Sequence, residues 1–167
     1  IFKMKTLEAA ASNGKKVLCI GAGPSSLSVA AELAKMGCDV TIVDENEKAG
    51  GLLRYGITPS RLSDEVIDQD IDAVKSLGVK FEMNKRIEKK DLAGVSSQYD
   101  AVFVGIGLSA SKMIPNLAGS DLKGCTTALA FLKDARKNGG KIDKLGRVVI
   151  IGGGDVAMDC ASTAKQI

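Results

Sequence analysis

The stretch that most constrains this chain is a short β-prone run, Lys16-Val17-Leu18-Cys19-Ile20, flowing directly into Gly21-Ala22-Gly23-Pro24-Ser25-Ser26. Gly21 lets a strand turn sharply. Gly23 has no Cβ, so a bulky anion can approach its backbone. Ser26 meets the need for a small residue where the following helix crosses the strand. Pro24 suits a first helical turn, where its missing N–H costs nothing. The helix N-terminus then offers free N–H groups and the positive end of a dipole, which together favour a diphosphate. Residues 24–36 are nearly all apolar or small, with Leu27, Ala30, Ala31, Leu33 and Ala34 on one face, and Gly37 stops the helix. A second strand follows at Asp39–Val43 (DVTIV), and Asp44 stands at its end, about 20 residues after the glycine turn. A carboxylate there can accept hydrogen bonds from ribose hydroxyls; the alternative is a solvated strand-end acid. Strand, glycine turn, helix and strand make a βαβ unit, the building block of parallel sheets.

The rest of the chain extends this theme. Residues 49–56 form a glycine-rich loop. Leu62, Val66, Ile67, Ile71, Val74 and Leu77 recur at helical spacing over 61–77, Gly78 ends that helix, and 79–83 alternates as a strand. Asp100–Val104 (DAVFV) is another buried strand, ending at Gly105 and Gly107, and 126–136 reads as an amphipathic helix. Arg147–Ile151 then repeats the opening: an apolar strand, three glycines at 152–154, and a helix from Asp155. Gly152 and Gly154 take the turn and close-approach roles, Ala157 is the small third position, and Asp155 can cap backbone N–H groups.

Composition narrows the chemistry. A net charge of +3 is too small to argue for nucleic acid, and the densest basic cluster, Lys85, Arg86, Lys89 and Lys90, is interleaved with Glu82 and Glu88 as on a solvated surface. No apolar run approaches the ~20 residues of a membrane span, and residues 1–14 have no apolar core of a secretory signal. The four cysteines, at 19, 38, 125 and 160, lie far apart without metal-ligand spacing, so no metal site is expected. Buried small hydrophobe is the favoured reading, and the pattern suits a reducing cytoplasm. The chain contains no histidine. Its commonest acid–base group is therefore missing, and chemistry is expected from a cofactor.

Several motifs resemble one family. Asp44-Glu45-Asn46-Glu47-Lys48-Ala49-Gly50-Gly51 is similar to the acidic residue, spacer and paired glycines of two-dinucleotide flavoproteins of the pyridine nucleotide-disulphide type. Gly50-Gly51-Leu52-Leu53-Arg54-Tyr55-Gly56-Ile57, followed by Arg61-Leu62, resembles more narrowly the small subunit of glutamate synthase and its relatives. Those relatives include the NAD(P)H-and-FAD part of dihydropyrimidine dehydrogenases and NADH-dependent ferredoxin:NADP oxidoreductases. The stretches 99–107 and 152–159 extend the match. Thr58 and Ser63 stand where that family carries prolines, so the loop of 57–63 departs from its pattern.

The resemblance implies an α/β, three-layer, Rossmann-like parallel-sheet FAD domain, followed by the first βα unit of a second, NAD(P)-binding Rossmann domain. The expected organisation is a linker at 1–14, FAD domain at 15–118, connector at 119–145 and start of the NAD(P)H domain at 146–167. It implies that Gly21, Gly23, Pro24, Ser25 and Ser26 cradle the FAD pyrophosphate, with Asp44 and Glu45 on the adenosine side. Gly50, Gly51 and Leu52 would lie along the flavin side, Arg61 would contact FAD, and the Ile87 backbone would meet the adenine. Gly105 and Gly107 would allow close approach beneath the cofactor; otherwise they are a strand-end turn, and Arg61 a surface arginine. Gly152, Gly154, Asp155, Val156 and Ala157 would receive the NAD(P)H pyrophosphate. No catalytic residue is expected, because hydride transfer between stacked rings needs no protein base. The implied partners are the rest of a longer subunit and an iron–sulfur domain or subunit, with neither nucleic acid nor membrane; because the resemblance implies further βα units and a closing FAD segment that these residues do not include, the chain is expected to be a fragment. Two rivals remain, a non-catalytic FAD-holding module and an NAD-only dehydrogenase. Gly50-Gly51 and Gly105-Ile106-Gly107 argue against the second.

Overall fold

A computed structural model of the chain describes residues 8–108, 110–111, 113–139 and 146–166. They divide into two compact units, one of residues up to Gly51 with Glu65–Gly107, the other of Leu52–Asp64 with residues from Leu108 onward.

The first unit is built on a parallel sheet of four strands, β1 (Lys16–Ile20), β2 (Asp39–Val43), β3 (Lys80–Glu82) and β4 (Ala101–Val104), in the order β3-β2-β1-β4. β1 pairs with β2 from Lys16↔Asp39 to Ile20↔Val43 and with β4 from Val17↔Ala101 to Ile20↔Val104. Runs of four buried residues in β1 and β2 put these strands at the sheet's centre, where both faces are covered. Leu18, Cys19, Val40, Ile42 and Val43 are almost wholly buried. Burial pushes the Cys19 thiol up to about 11, so it stays protonated at neutral pH and acts as a small hydrophobe.

Helices α1 (Pro24–Lys35) and α3 (Asp64–Ser76) carry the crossovers β1→β2 and β2→β3, while α4 (Leu92–Ser96) lies on the return from β3 to β4. Right-handed crossovers in this order put α1 and α3 on one face and α4 on the other, giving three layers. α1 buries Ser26, Ala30 and Ala34. α3 buries Ile67, Ile71 and Val74, the positions its helical spacing predicts. Across the sheet, Leu18, Ile20 and Val43 carry Ile87, Val95, Tyr99 and Val102. Strand order reverses between β1 and β4, so the crevice at their C-terminal ends is where parallel α/β sheets hold ligands. Gly21 and Gly105 stand at that point.

Gly21 has φ +97°, and a Cβ there would run into the Gly105 carbonyl oxygen. A Cβ on Gly105 would collide with Ser26 Oγ and lie 2.8 Å from the Phe103 ring. Ser26 Oγ itself is buried without a hydrogen-bond partner. Gly105→Ala is therefore expected to destabilise by about 1–3 kcal/mol through overpacking. Ser26→Ala, which removes an unsatisfied hydroxyl, should cost little, and the double variant should recover part of the Gly105→Ala loss. Denaturant melts of the four proteins check this as a double-mutant cycle.

The second unit contains α2 (Leu52–Tyr55), α5 (Ala128–Lys137) and α6 (Asp155–Gln166). Thr127 caps α5 by accepting from the Ala130 N–H. Leu132 and Ala135 of α5 are buried, as is Cys160 of α6, whose thiol faces the Ala128 carbonyl. Tyr55 is buried beneath α5, with the Lys133 and Lys137 ammonium groups 5.7 and 5.8 Å from its ring centroid. The strand expected over Arg147–Ile151 is not formed: these residues pair with no strand among the described residues, and Val149 is 79% exposed. Apolar, β-branched residues become a strand only when a neighbour takes up their backbone hydrogen bonds. The helix expected from Asp155 is present as α6.

Candidate functional site

The first glycine loop is fixed from three sides. The Gly21 N–H donates to Val43 O at 2.7 Å, and the Gly105 N–H donates to Ile20 O at 2.8 Å. The Gly50 N–H donates to Ala22 O at 2.8 Å, which draws the paired glycines onto the loop. Gly51, at φ +54°, packs backbone to backbone: a Cβ there would stand 2.7 Å from Gly23 Cα. The paired glycines thus have a packing reason of their own, independent of any ligand.

Gly23 differs from its neighbours. A Cβ at Gly23 would meet only Gly51 Cα, at 4.0 Å, and its backbone is extended (φ −80°, ψ 177°). A side chain would fit the fold there, and the space it would fill is open. Pro24 begins α1, as the sequence predicts, and the Leu27 N–H closes the first turn on Gly23 O at 3.0 Å. The N–H groups of Ser25 and Ser26 have no acceptor among the described residues, as is usual for a first turn. Open space beside Gly23 and unfilled donors at a helix start form a cradle suited to a diphosphate.

Asp44 ends β2 half-buried, and it is no bystander of the fold. Its Oδ2 accepts from the Ala22 N–H at 2.7 Å, and its Oδ1 accepts from both the Asn46 N–H at 2.7 Å and Asn46 Nδ2 at 2.8 Å. The backbone of the following segment is tied to the same turn, with Lys85 N donating to Asp44 O at 2.8 Å and Asn84 N to Asn46 O at 3.0 Å. This strap brings Ile87 in, with its side chain turned onto the core. Glu45 points outward and forms an ion pair with Arg86. Gly107, at φ +64°, is open, with nothing near a Cβ position.

In the second unit Leu52 begins α2, and the Gly56 N–H returns to its carbonyl at 2.9 Å. Arg61 is engaged rather than free: its guanidinium donates to both carboxylate oxygens of Asp159, at 3.1 and 3.0 Å. Thr58 closes the turn beneath it by accepting the N–H groups of Arg61 and Leu62. Arg136, almost fully buried, holds the same loop through Ile57 O at 2.8 Å, Leu62 O at 3.3 Å and Asp64 Oδ1 at 2.6 Å. Sequence reasoning did not single out Asp159, Arg136 or Asn46.

The Arg61–Asp159 pair is lopsided, with Arg61 side-chain exposure of 56% against 10% for Asp159. Arg61→Met would leave a buried carboxylate without its partner, whereas Asp159→Asn would leave a solvated guanidinium. The first variant is expected to lose about 2–3 kcal/mol of stability and the second under about 1 kcal/mol. Chemical denaturation of both checks the order; equal losses would mean that Asp159 has other support.

At the second glycine loop Gly152 has φ +129°, and its Cβ position lies 3.7 Å from Ala157 Cβ. Gly154 O accepts from Ala157 N at 2.9 Å and Met158 N at 3.1 Å, starting α6. A Cβ at Gly154 would meet nothing within 4 Å. Asp155 is the exposed first residue of α6, an acid in the helix's first turn. Val156 is exposed on the same turn.

Among the described residues no cluster of His, Cys, Asp and Glu could hold a metal ion, and no helix is long and apolar enough to cross a membrane.

The chain matches the family model for pyridine nucleotide-disulphide oxidoreductase over residues 2–112 and again over 78–167. It is 40% identical over 153 residues to the NAD-dependent dihydropyrimidine dehydrogenase subunit PreT of Escherichia coli O157:H7, covering 91% of this chain and 36% of that protein. It is 36% identical over 164 residues to the glutamate synthase [NADPH] small chain of Escherichia coli strain K12, covering 92% and 34% respectively. The chain thus spans about a third of the length of these relatives. The structure of Mycobacterium tuberculosis FprA in complex with NADPH superposes with a TM-score of 0.71 at 24% identity, over 88% of this chain and 35% of that one, a likeness of fold. The glycine turns, the four-stranded parallel sheet and the family match agree: the chain belongs to the pyridine nucleotide-disulphide oxidoreductase family.

Proposed function

We propose that this chain is the FAD-holding part, and the beginning of the NAD(P)H-holding part, of a longer cytoplasmic oxidoreductase subunit. That subunit takes a hydride from NAD(P)H onto FAD and passes electrons to iron–sulfur centres in its own or a partner chain. The observation that carries the reading is the open space at Gly23, beside free N–H groups at the start of α1 and at the switch point of a parallel sheet. The relatives, each about three times as long as this chain, bear the names of an NAD-dependent dihydropyrimidine dehydrogenase subunit and a glutamate synthase [NADPH] small chain.

In this reading the backbone at Gly21, Gly23, Pro24, Ser25 and Ser26 holds the FAD pyrophosphate, and Asp44 takes the adenosine ribose. The Ile87 backbone borders the adenine, while Glu45, paired with Arg86, borders the same end. Gly50, Gly51 and Leu52 lie towards the flavin, and Gly105 and Gly107 leave room beneath it. Arg61 keeps its link to Asp159 and steadies the loop before α3. Gly152, Gly154, Asp155, Val156 and Ala157 begin the NAD(P)H cradle. A bound flavin would supply the redox chemistry; the residues supply binding, orientation and exclusion of water, and none acts as acid or base. Anaerobic addition of NADH and of NADPH to the purified full-length protein tests the assignment. Bleaching of flavin absorbance by either supports it. A bound flavin that neither nucleotide bleaches would reduce the chain to a non-catalytic FAD-holding module.

A further inference from the structure

We propose that Asn46 sets which ribose hydroxyl the first nucleotide site reads, by filling half of the Asp44 carboxylate. The inference rests on the assignment of the first glycine loop to FAD. An ionised carboxylate has about four acceptor positions, two on each oxygen. In Asp44 both positions of Oδ1 are taken by Asn46, one by its backbone N–H at 2.7 Å and one by its side-chain Nδ2 at 2.8 Å. One position of Oδ2 is taken by the Ala22 N–H at 2.7 Å. A single acceptor position remains, on the oxygen that also touches the glycine loop.

The arrangement is locked in both directions. A carboxylate can only accept, so the Asn46 side chain must present its NH2 group to Asp44, and the amide orientation is chemically determined. Asp44 bonded to the N–H two residues on is an Asx turn, which fixes the carboxylate plane relative to β2. The Ala22 N–H fixes the other oxygen relative to the glycine loop. Asn46 is held in turn through its own carbonyl, which accepts from the Asn84 N–H at 3.0 Å, and Asn84 adopts φ +57° at that point. The carboxylate therefore cannot rotate to offer two oxygens to two neighbouring hydroxyls. It offers one acceptor, in one direction. Asn46 is a positioning residue whose effect shows as selectivity.

The experiment compares FAD with two analogues that lack either the 2′- or the 3′-hydroxyl of the adenosine ribose. Binding to the full-length apoprotein is followed by quenching of flavin fluorescence. In the wild-type protein one analogue should bind about tenfold or more weakly than FAD, the loss of one hydrogen bond to a charged group. The other should bind within about twofold of FAD. Asn46→Ala keeps both backbone bonds and frees one position on Oδ1. In that variant both hydroxyls should matter, with each analogue about tenfold weaker than FAD. Equal losses for the two analogues in the wild-type protein would overturn the proposal, and that comparison needs no variant. An unchanged pattern in a natively melting Asn46→Ala protein would overturn it as well. If FAD itself fails to bind the wild-type apoprotein, the assignment of the loop is wrong and the inference goes with it.

Discussion

Gly23→Val is expected to leave the protein folded and empty of flavin. Its backbone angles are ones that any residue adopts, and the position of a Cβ there is free of clashes. The variant should therefore melt within about 1 kcal/mol of the parent, as substitutions without buried consequences do. The same side chain would occupy the space in front of the Ser25 and Ser26 N–H groups. Two charge-assisted hydrogen bonds to the pyrophosphate would be lost, each worth roughly 1.5–3 kcal/mol. Affinity should fall by more than about a hundredfold, and the protein should purify colourless. The neighbouring glycines provide the contrast. Gly21→Val would run into the Gly105 backbone and Gly51→Val into the Gly23 backbone, so both should fail to fold, and of these three glycines Gly23 alone separates binding from folding. A Gly23→Val protein that purifies with stoichiometric flavin would show that this loop is a turn and nothing more.

Gly154→Val should produce the complementary defect. The position is open, and its backbone work is done by a carbonyl that valine also possesses. Flavin content should be normal, because the first glycine loop is untouched. Reduction of that flavin by NADH or NADPH should fall by more than about a hundredfold, because the valine side chain would stand where a pyrophosphate must approach the backbone at the start of α6. Stopped-flow absorbance on the full-length variant reads both quantities in one trace. Parent-like reduction would remove the second loop from the nucleotide site.

The two variants depend on different grades of sequence legibility. β1 and β2 fall where the apolar runs of 16–20 and 39–43 put them, because a strand covered on both faces must be apolar throughout. β4 begins one residue later than the run at 100–104 suggests, since Asp100 spends its carboxylate on the Lys16 N–H. α2 and α4 escaped notice because four and five residues are too few to show a helical period. The run of 147–151 has strand composition, but composition cannot supply a pairing partner.

Within the candidate site, glycine spacing was readable because close backbone approach has few chemical solutions. The partners of Asp44 were not, although an acid at a strand end followed by a polar turn carries a faint Asx signal in Asp44-Glu45-Asn46. Arg61 and Asp159 are 98 positions apart, and nothing in either local sequence names the other. Arg136 reads as the polar face of an amphipathic helix, yet it is buried because three groups of the 57–64 loop need its donors.

The most direct test of the central claim is the visible spectrum of the purified full-length protein, taken with identification of the nucleotide released on denaturation. A protein that holds its cofactor on the first glycine loop should show the two bands of an oxidised flavin and release FAD at one molecule per chain. A colourless protein that cannot be reconstituted with FAD, or one that releases only NAD(P), would contradict the account.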